Sequence, residues 1–249
     1  AYISFQPKDF YSTKLYTGNS TTNAQTGVGF QPDLLWNKLR NLTGQSCKVQ
    51  DVTRGADYYF DTNDNIASTS GGDLVSFDSD GFTMESDANA WNYTGYTYVT
   101  WNWKAGTTSG ITTDGSTTIT PSSYSFSQTA GFSILQYAGN GVSGAKLAHG
   151  LGSTPDIVFV KRLNSTGDTV IPSIALEANF DWVLFLASQS GYTDDSGYFA
   201  DTAPDSVNIT LGDSVHTNTG SGATYMAYCW SAKKGYSKFG SYTGNGNAD

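Results

Sequence analysis

Apolar residues in this chain come in short bursts broken by polar ones, and their spacing is that of β-strands rather than helices. The run Asp33-Leu-Leu-Trp-Asn-Lys38 is compact and apolar, with Pro32 placed where a strand starts, and it is expected in the core. Between Lys48 and Asp61 apolar and polar positions alternate around Arg54-Gly55, which predicts two strands and a turn. Leu74-Val-Ser-Phe77, a corner at Asp80-Gly81 and Phe82-Thr-Met84 make the strongest hairpin pattern. Residues 98–103 alternate strictly: Tyr98, Thr100 and Asn102 share one face, while Val99, Trp101 and Trp103 share the other, which is expected to be the buried one. Residues 125–137 and the very apolar 181–186 predict further strands in the second half. The first strand is expected to begin at Leu15-Tyr16, after a leading arm of residues 1–14.

This pattern occurs twice. Residues 27–41 (GVGFQPDLLWNKLRN) return at 150–164 (GLGSTPDIVFVKRLN), a shift of 123 that lays Gly27, Gly29, Asp33, Lys38 and Asn41 on Gly150, Gly152, Asp156, Lys161 and Asn164. Upstream, Tyr16-Thr-Gly-Asn19 recurs as Tyr137-Ala-Gly-Asn140 at a shift of 121. Downstream, Thr97–Trp103 recurs as Thr224–Trp230, and Gly81–Met84 as Asn208–Leu211, at a shift of 127. The drift places small insertions in loops, where they cost least. Tyr-Thr-Gly-Asn then appears a third time, at 242–245. The expected organisation is a first β-sandwich repeat over 1–106, a Gly/Thr/Ser-rich linker over 107–123 and a second repeat over 124–235. Residues 236–249 are expected to be the start of a truncated third repeat or a C-terminal arm. The fold class is all-β, two tandem antiparallel sandwiches, since units of this length can close on themselves.

Composition agrees with strands and turns: 28 Gly and 16 Tyr among 249 residues, with Glu85 and Glu177 the sole glutamates. A net charge of −9 with scattered basic residues argues against nucleic acid or an anionic membrane as partner. No apolar run reaches the roughly 20 residues of a membrane span, so no membrane insertion is expected. The chain opens on Ala1 rather than Met, which points to trimming or a fragment. Cys47 and Cys229 do not correspond under the repeat shift and are expected to be two free buried thiols.

Few residues suggest catalysis. Asp78-Ser-Asp80-Gly81 has alternate carboxylates like a calcium loop, yet it lacks the rest of that ligand set, and Asp78 and Asp80 are weak metal candidates beside the simpler hairpin turn. Glycoside hydrolysis needs two facing carboxylates, and Glu85 with an Asp, or Glu177 with Asp181, is fixed by no motif. His149 and His216 are too isolated for a triad or metal site. No cofactor is expected. The features that suit binding are aromatic loops, with Trp91, Tyr93 and Tyr96 in one and Tyr192 and Tyr198 in another. Rings stack on the apolar faces of sugars while nearby Asn and Asp meet the hydroxyls. The same rings would equally suit sandwich rims or contacts between subunits. Arg54 is equally suited to a carboxylate inside the fold or to a ligand.

Phe30-Gln-Pro-Asp33, Asp51-Val-Thr-Arg-Gly55, Ser76-Phe-Asp-Ser-Asp-Gly-Phe-Thr83 and Tyr98-Val-Thr-Trp-Asn-Trp-Lys-Ala105 together resemble a repeated β-sandwich domain of tail-fibre-like structural proteins of marine tailed bacteriophages. So do His149-Gly-Leu-Gly152, Ile157-Val-Phe-Val-Lys-Arg162 and the stretch 235–245. That resemblance implies jelly-roll or lectin-like units in a non-enzymatic virion protein, located in the extracellular particle. Its implied partners are other virion proteins and a host-surface polysaccharide, and fibre proteins of this kind suggest a homo-oligomer. A capsid decoration or scaffold protein without sugar binding and a polysaccharide depolymerase are the alternatives. Val170-Ile-Pro-Ser173 departs from the resemblance, with Trp182 coming later than usual.

Overall fold

The chain is described by a computed structural model over residues 5–85, 91–188, 191–220 and 222–246. The first repeat forms β1 (Tyr11–Thr17), β2 (Asn23–Gln25), β3 (Leu34–Leu39), β4 (Cys47–Asp51), β5 (Phe60–Asp61), β6 (Leu74–Asp78), β7 (Gly81–Met84) and β8 (Thr97–Trp103). The second forms β9 (Ser123–Ser127), β10 (Phe132–Ala138), β11 (Ala145–Ala148), β12 (Ile157–Arg162), β13 (Val170–Pro172) and β14 (Trp182–Phe185). It continues with β15 (Thr193–Asp194), the short helix α1 (Ser196–Phe199), β16 (Asn208–Leu211) and β17 (Thr224–Trp230). The protein is all-β, and every pairing of these strands is antiparallel.

Both repeats follow one strand plan. The first large sheet runs β1-β8-β3-β4-β5; the second runs β10-β17-β12-β13-β14, with β9 added at one edge and β15 at the other. Register is also conserved: Tyr11 and Leu34 flank Trp103, just as Phe132 and Ile157 flank Trp230. A small sheet covers each large one, β2-β7-β6 in the first half and β11-β16 in the second.

The large sheets also cover each other. Leu35, Leu39, Tyr16 and Tyr98 pack on Phe82 and Met84 of the first small sheet, and Leu135, Val158, Val160 and Tyr225 pack on Leu147 and Ile209 of the second. A third core lies between the large sheets, where Leu34, Val49 and Phe60 meet Phe132, Ile134, Met226 and Tyr228. Alternate side chains of one strand therefore serve two cores, which explains the near-continuous apolar character of β3, β12 and β17. Trp36 and Phe159, equivalent in the two repeats, meet edge-to-face across this join at 6.4 Å, and Trp230 stacks on Phe132 at 5.1 Å and meets Trp103 at 6.4 Å.

Two expectations need correction. The first strand begins at Tyr11, not Leu15, because it pairs residue for residue with β8 from Tyr11–Trp103 onward. On β8 the fully buried face carries Tyr98, Thr100 and Asn102, while Val99, Trp101 and Trp103 are half-buried. Polarity misleads there because Asn102 Nδ2 donates to Ser12 O and Thr100 Oγ1, which lets an amide sit inside the first sandwich. Residues 107–123 are tied to the second repeat: Thr107 bridges Phe126, Ile119 bridges Leu147, and Thr118 N donates to Lys146 O.

Residues of the repeated motif perform the same task twice. Asp33 accepts from Ala105 N at 2.9 Å and Asp156 from Ala232 N at 2.6 Å, each fastening the exit of a closing strand. Asn41 accepts from Thr97 N and donates to Gly95 O; Asn164 does so with Thr224 N and Gly222 O. Lys38 donates to Gln45 O, and Lys161 to Gly167 O. These residues hold the fold together.

Candidate functional site

The shared residues are architectural, and the two repeats differ in the chemistry they carry elsewhere. One difference lies at the join. Asp51 and Arg54, both in the first repeat and essentially buried, form an ion pair at 2.7 Å. Tyr228 of the second repeat donates to Asp51 Oδ2 at 2.7 Å, and Arg54 Nη2 reaches the Tyr228 hydroxyl at 3.3 Å. Thr53 and the Arg54 N–H complete the acceptor set of Asp51. Burial alone would raise the Asp51 carboxyl, but Arg54 and these donors bring it below the usual carboxylate range. Every strong group in the network has a partner inside the fold, so of the two readings of Arg54 the internal one holds.

The predicted binding loops separate. Trp91 is 1% exposed and packs in the first core, with Lys48 Nζ 5.8 Å from its ring, so it cannot stack on a sugar. Its neighbour Asn92 explains this, because reciprocal hydrogen bonds to Asn19 pull the chain inward at that point. Tyr93 and Tyr96 are half-buried and face each other at 6.1 Å. Residues 86–90 of that loop lie outside the described ones. Tyr198 lies on α1 and leans into the second core against Phe185 at 5.8 Å, with His216 6.1 Å away. Tyr192 differs: it is 54% exposed and stacks on Trp182 at 4.1 Å with 11° between the ring planes.

Asp78 and Asp80 are fully used by the turn that holds them. Asp78 accepts from Ser76 and Thr83 hydroxyls, and Asp80 accepts from Gly27 N at 2.9 Å and Gly29 N at 2.7 Å. Those two N–H groups, Gly27 first, hold the Asp80 carboxyl below its ordinary range. Among the described residues no three acidic, His or Cys side chains gather as a metal site. Both thiols are free; Cys229 is buried as expected, whereas Cys47 is half-buried.

His149 is buried and fixed, accepting from Leu151 N at Nδ1 and meeting Asp205 O through Nε2 at 3.1 Å. Burial lowers its pKa to about 4 despite the nearby Asp205 carbonyl. A folded value below the unfolded one means that the unfolded chain takes up the proton first. Stability is therefore full above about pH 6.5 and falls as pH drops toward the folded value, by roughly 3 kcal/mol. Urea unfolding of wild type and His149→Gln at neutral and mildly acidic pH should show that difference shrinking in the variant; an unchanged difference would assign the pH effect elsewhere.

Two surfaces remain. A mostly aromatic cleft of about 320 Å³ opens at the sheet join, lined by Trp36, Trp103, Phe159 and Trp230 together with Tyr236 and Phe239 of the C-terminal arm. The other is the Trp182–Tyr192 platform. Strand pairing places Asp194 directly opposite Trp182, and Asp181 precedes it in the chain. The Asp181 carboxyl meets Asp201, which raises its pKa, and Asp194, which acts to lower it, while Asp181 in turn raises Asp194. No donor among the described residues reaches Asp181 Oδ1. A flat open ring beside the exposed Asp194 carboxylate can take a ligand with an apolar face and hydroxyl groups. Sequence reading found Tyr192 by its place in a polar loop but assigned Trp182 to a core strand, and so missed the pair.

These features define a class: a duplicated all-β protein in which two copies of one strand plan share a central core. The chain belongs to a family described as a domain of unknown function, DUF7483, whose match covers residues 6–249 and so takes in both repeats. No curated protein and no solved structure matches it.

Proposed function

We propose that this chain is a non-enzymatic, tail-fibre-like structural protein of a tailed-bacteriophage particle, and that it binds a host-surface glycan at the Trp182–Tyr192 platform. The resemblance of its repeated motifs supports the particle role, in contact with other virion proteins and as a homo-oligomer. One observation carries the sugar reading: Tyr192 has one face stacked on Trp182 and stands largely open to solvent, next to Asp181 and Asp194. Sugar hydroxyls would donate to the exposed Asp194 carboxylate beside the ring.

The carboxylates also bear on the depolymerase alternative. Hydrolysis with retention needs two carboxyl groups about 5 Å apart with the glycosidic bond between them. Asp181 and Asp194 interact directly as side chains, which leaves no such gap. Binding without cleavage is the better fit. A glycan array followed by titration tests it: Tyr192→Ala should weaken binding about tenfold or more, an effect of about 1.4 kcal/mol, while the melting temperature stays unchanged. Absence of binding in wild type, or equal binding in the variant, would refute the site.

A further inference from the structure

The aromatic cleft lies where the core between the two large sheets stops short of closing. Trp36 and Trp103 line it from the first repeat, Phe159 and Trp230 from the second, and Tyr236 and Phe239 from the arm after β17. All six are half-buried, whereas Leu34, Met226 and Tyr228 of the same core are closed off. A packed core buries its largest rings on every side. Large rings left half-open together on one concave surface are the mark of a binding cleft.

Size and chemistry limit the occupant. An apolar cavity of about 150 Å³ takes one benzene ring, and this cleft, at about 320 Å³, has room for two fused rings. None of its nine lining residues is charged, so an ion placed there would lose hydration without gaining a counter-charge. Phe159 and Trp230 meet at 66° and Trp103 and Trp230 at 68°, an edge-to-face array that a flat aromatic guest extends and an aliphatic one does not. Among the described residues the Tyr236 hydroxyl has no hydrogen-bond partner, which leaves it free to donate to an acceptor on the guest.

We infer that this cleft binds a small, uncharged aromatic molecule of about two fused rings carrying a hydrogen-bond acceptor, held between the two repeats. The guest touches both halves, so binding it strengthens the join against unfolding. The inference stands apart from the sugar reading, whose platform lies on β14 and beside β15.

The test titrates the full chain with prodan, a neutral naphthyl ketone whose emission shifts to the blue in apolar surroundings. Wild type is expected to bind one equivalent with a dissociation constant of about 0.1 mM or tighter, and its melting temperature should rise with probe concentration. Phe239→Ala removes part of the lining but no strand residue, and should weaken binding about tenfold. Tyr236→Phe keeps the ring and should weaken it about fivefold. Both variants should melt like wild type without probe, and Tyr192→Ala should bind prodan as wild type does. No binding, binding unchanged in Phe239→Ala or Tyr236→Phe, or binding lost in Tyr192→Ala overturns the inference. So does a wild-type dimer, seen by light scattering, that the probe splits, because the cleft would then belong to a second copy.

Discussion

Replacing Asp51 with alanine is expected to destabilise the protein by about 3–5 kcal/mol, because it leaves the Arg54 guanidinium buried without its counter-charge. Arg54 is 3% and Asp51 0% exposed in their side chains, so solvent cannot take the place of the lost partner. The effect should cross the join, since Tyr228 of the second repeat loses its acceptor as well. Tyr228→Phe should cost less, about 1–2 kcal/mol, because both charges keep each other. Measured in a double-mutant cycle by urea unfolding, the two substitutions should be strongly non-additive; simple additivity would mean that the network does not couple the halves. The pH sign follows from the lowered Asp51 value. The network stabilises at neutral pH and above the unfolded carboxylate range, and its contribution is lost as pH falls through the folded value.

Trp91→Ala is the second large effect, about 3–5 kcal/mol from the lost contacts and the cavity left behind. The residue is 1% exposed between Tyr59 and Tyr16, and its carbonyl receives the Tyr16 hydroxyl. Thermal and urea unfolding would show a lower midpoint, with native secondary structure retained at low temperature. Any loss of sugar binding in that variant would report unfolding, which makes Tyr192→Ala the informative substitution. A Trp91→Ala protein of wild-type stability would contradict the placement of this ring in the core.

Most of the strand plan is legible in the residues. A compact apolar run after Pro32 locates β3, period-two alternation locates β4 and β8, the Asp80-Gly81 corner locates the β6–β7 hairpin, and the repeat shift locates β16 from β7. What alternation cannot show is a sheet covered on both faces. With one face assumed wet, Thr100 and Asn102 read as solvent-facing although both are fully buried, because Asn102 donates to Ser12 O on a strand distant in sequence and to Thr100 Oγ1 beside it. Trp36, Trp103, Phe159 and Trp230 each look like ordinary core positions of separate sandwiches, and only their meeting reveals the shared core. The candidate platform was half legible. A Tyr in a polar loop is visible, but its stacking on Trp182 depends on the β14–β15 pairing, which brings together residues that no local pattern links.

The account depends most on two copies of one blueprint closing face to face around a common aromatic core. Nuclear Overhauser spectroscopy on protein labelled in its aromatic rings addresses this directly. Cross-peaks between the Trp36 and Phe159 rings, 6.4 Å apart between centroids, and between Trp103 and Phe132 at the same separation, are the expected result. Rings of the first repeat that show contacts only within the first repeat would contradict it.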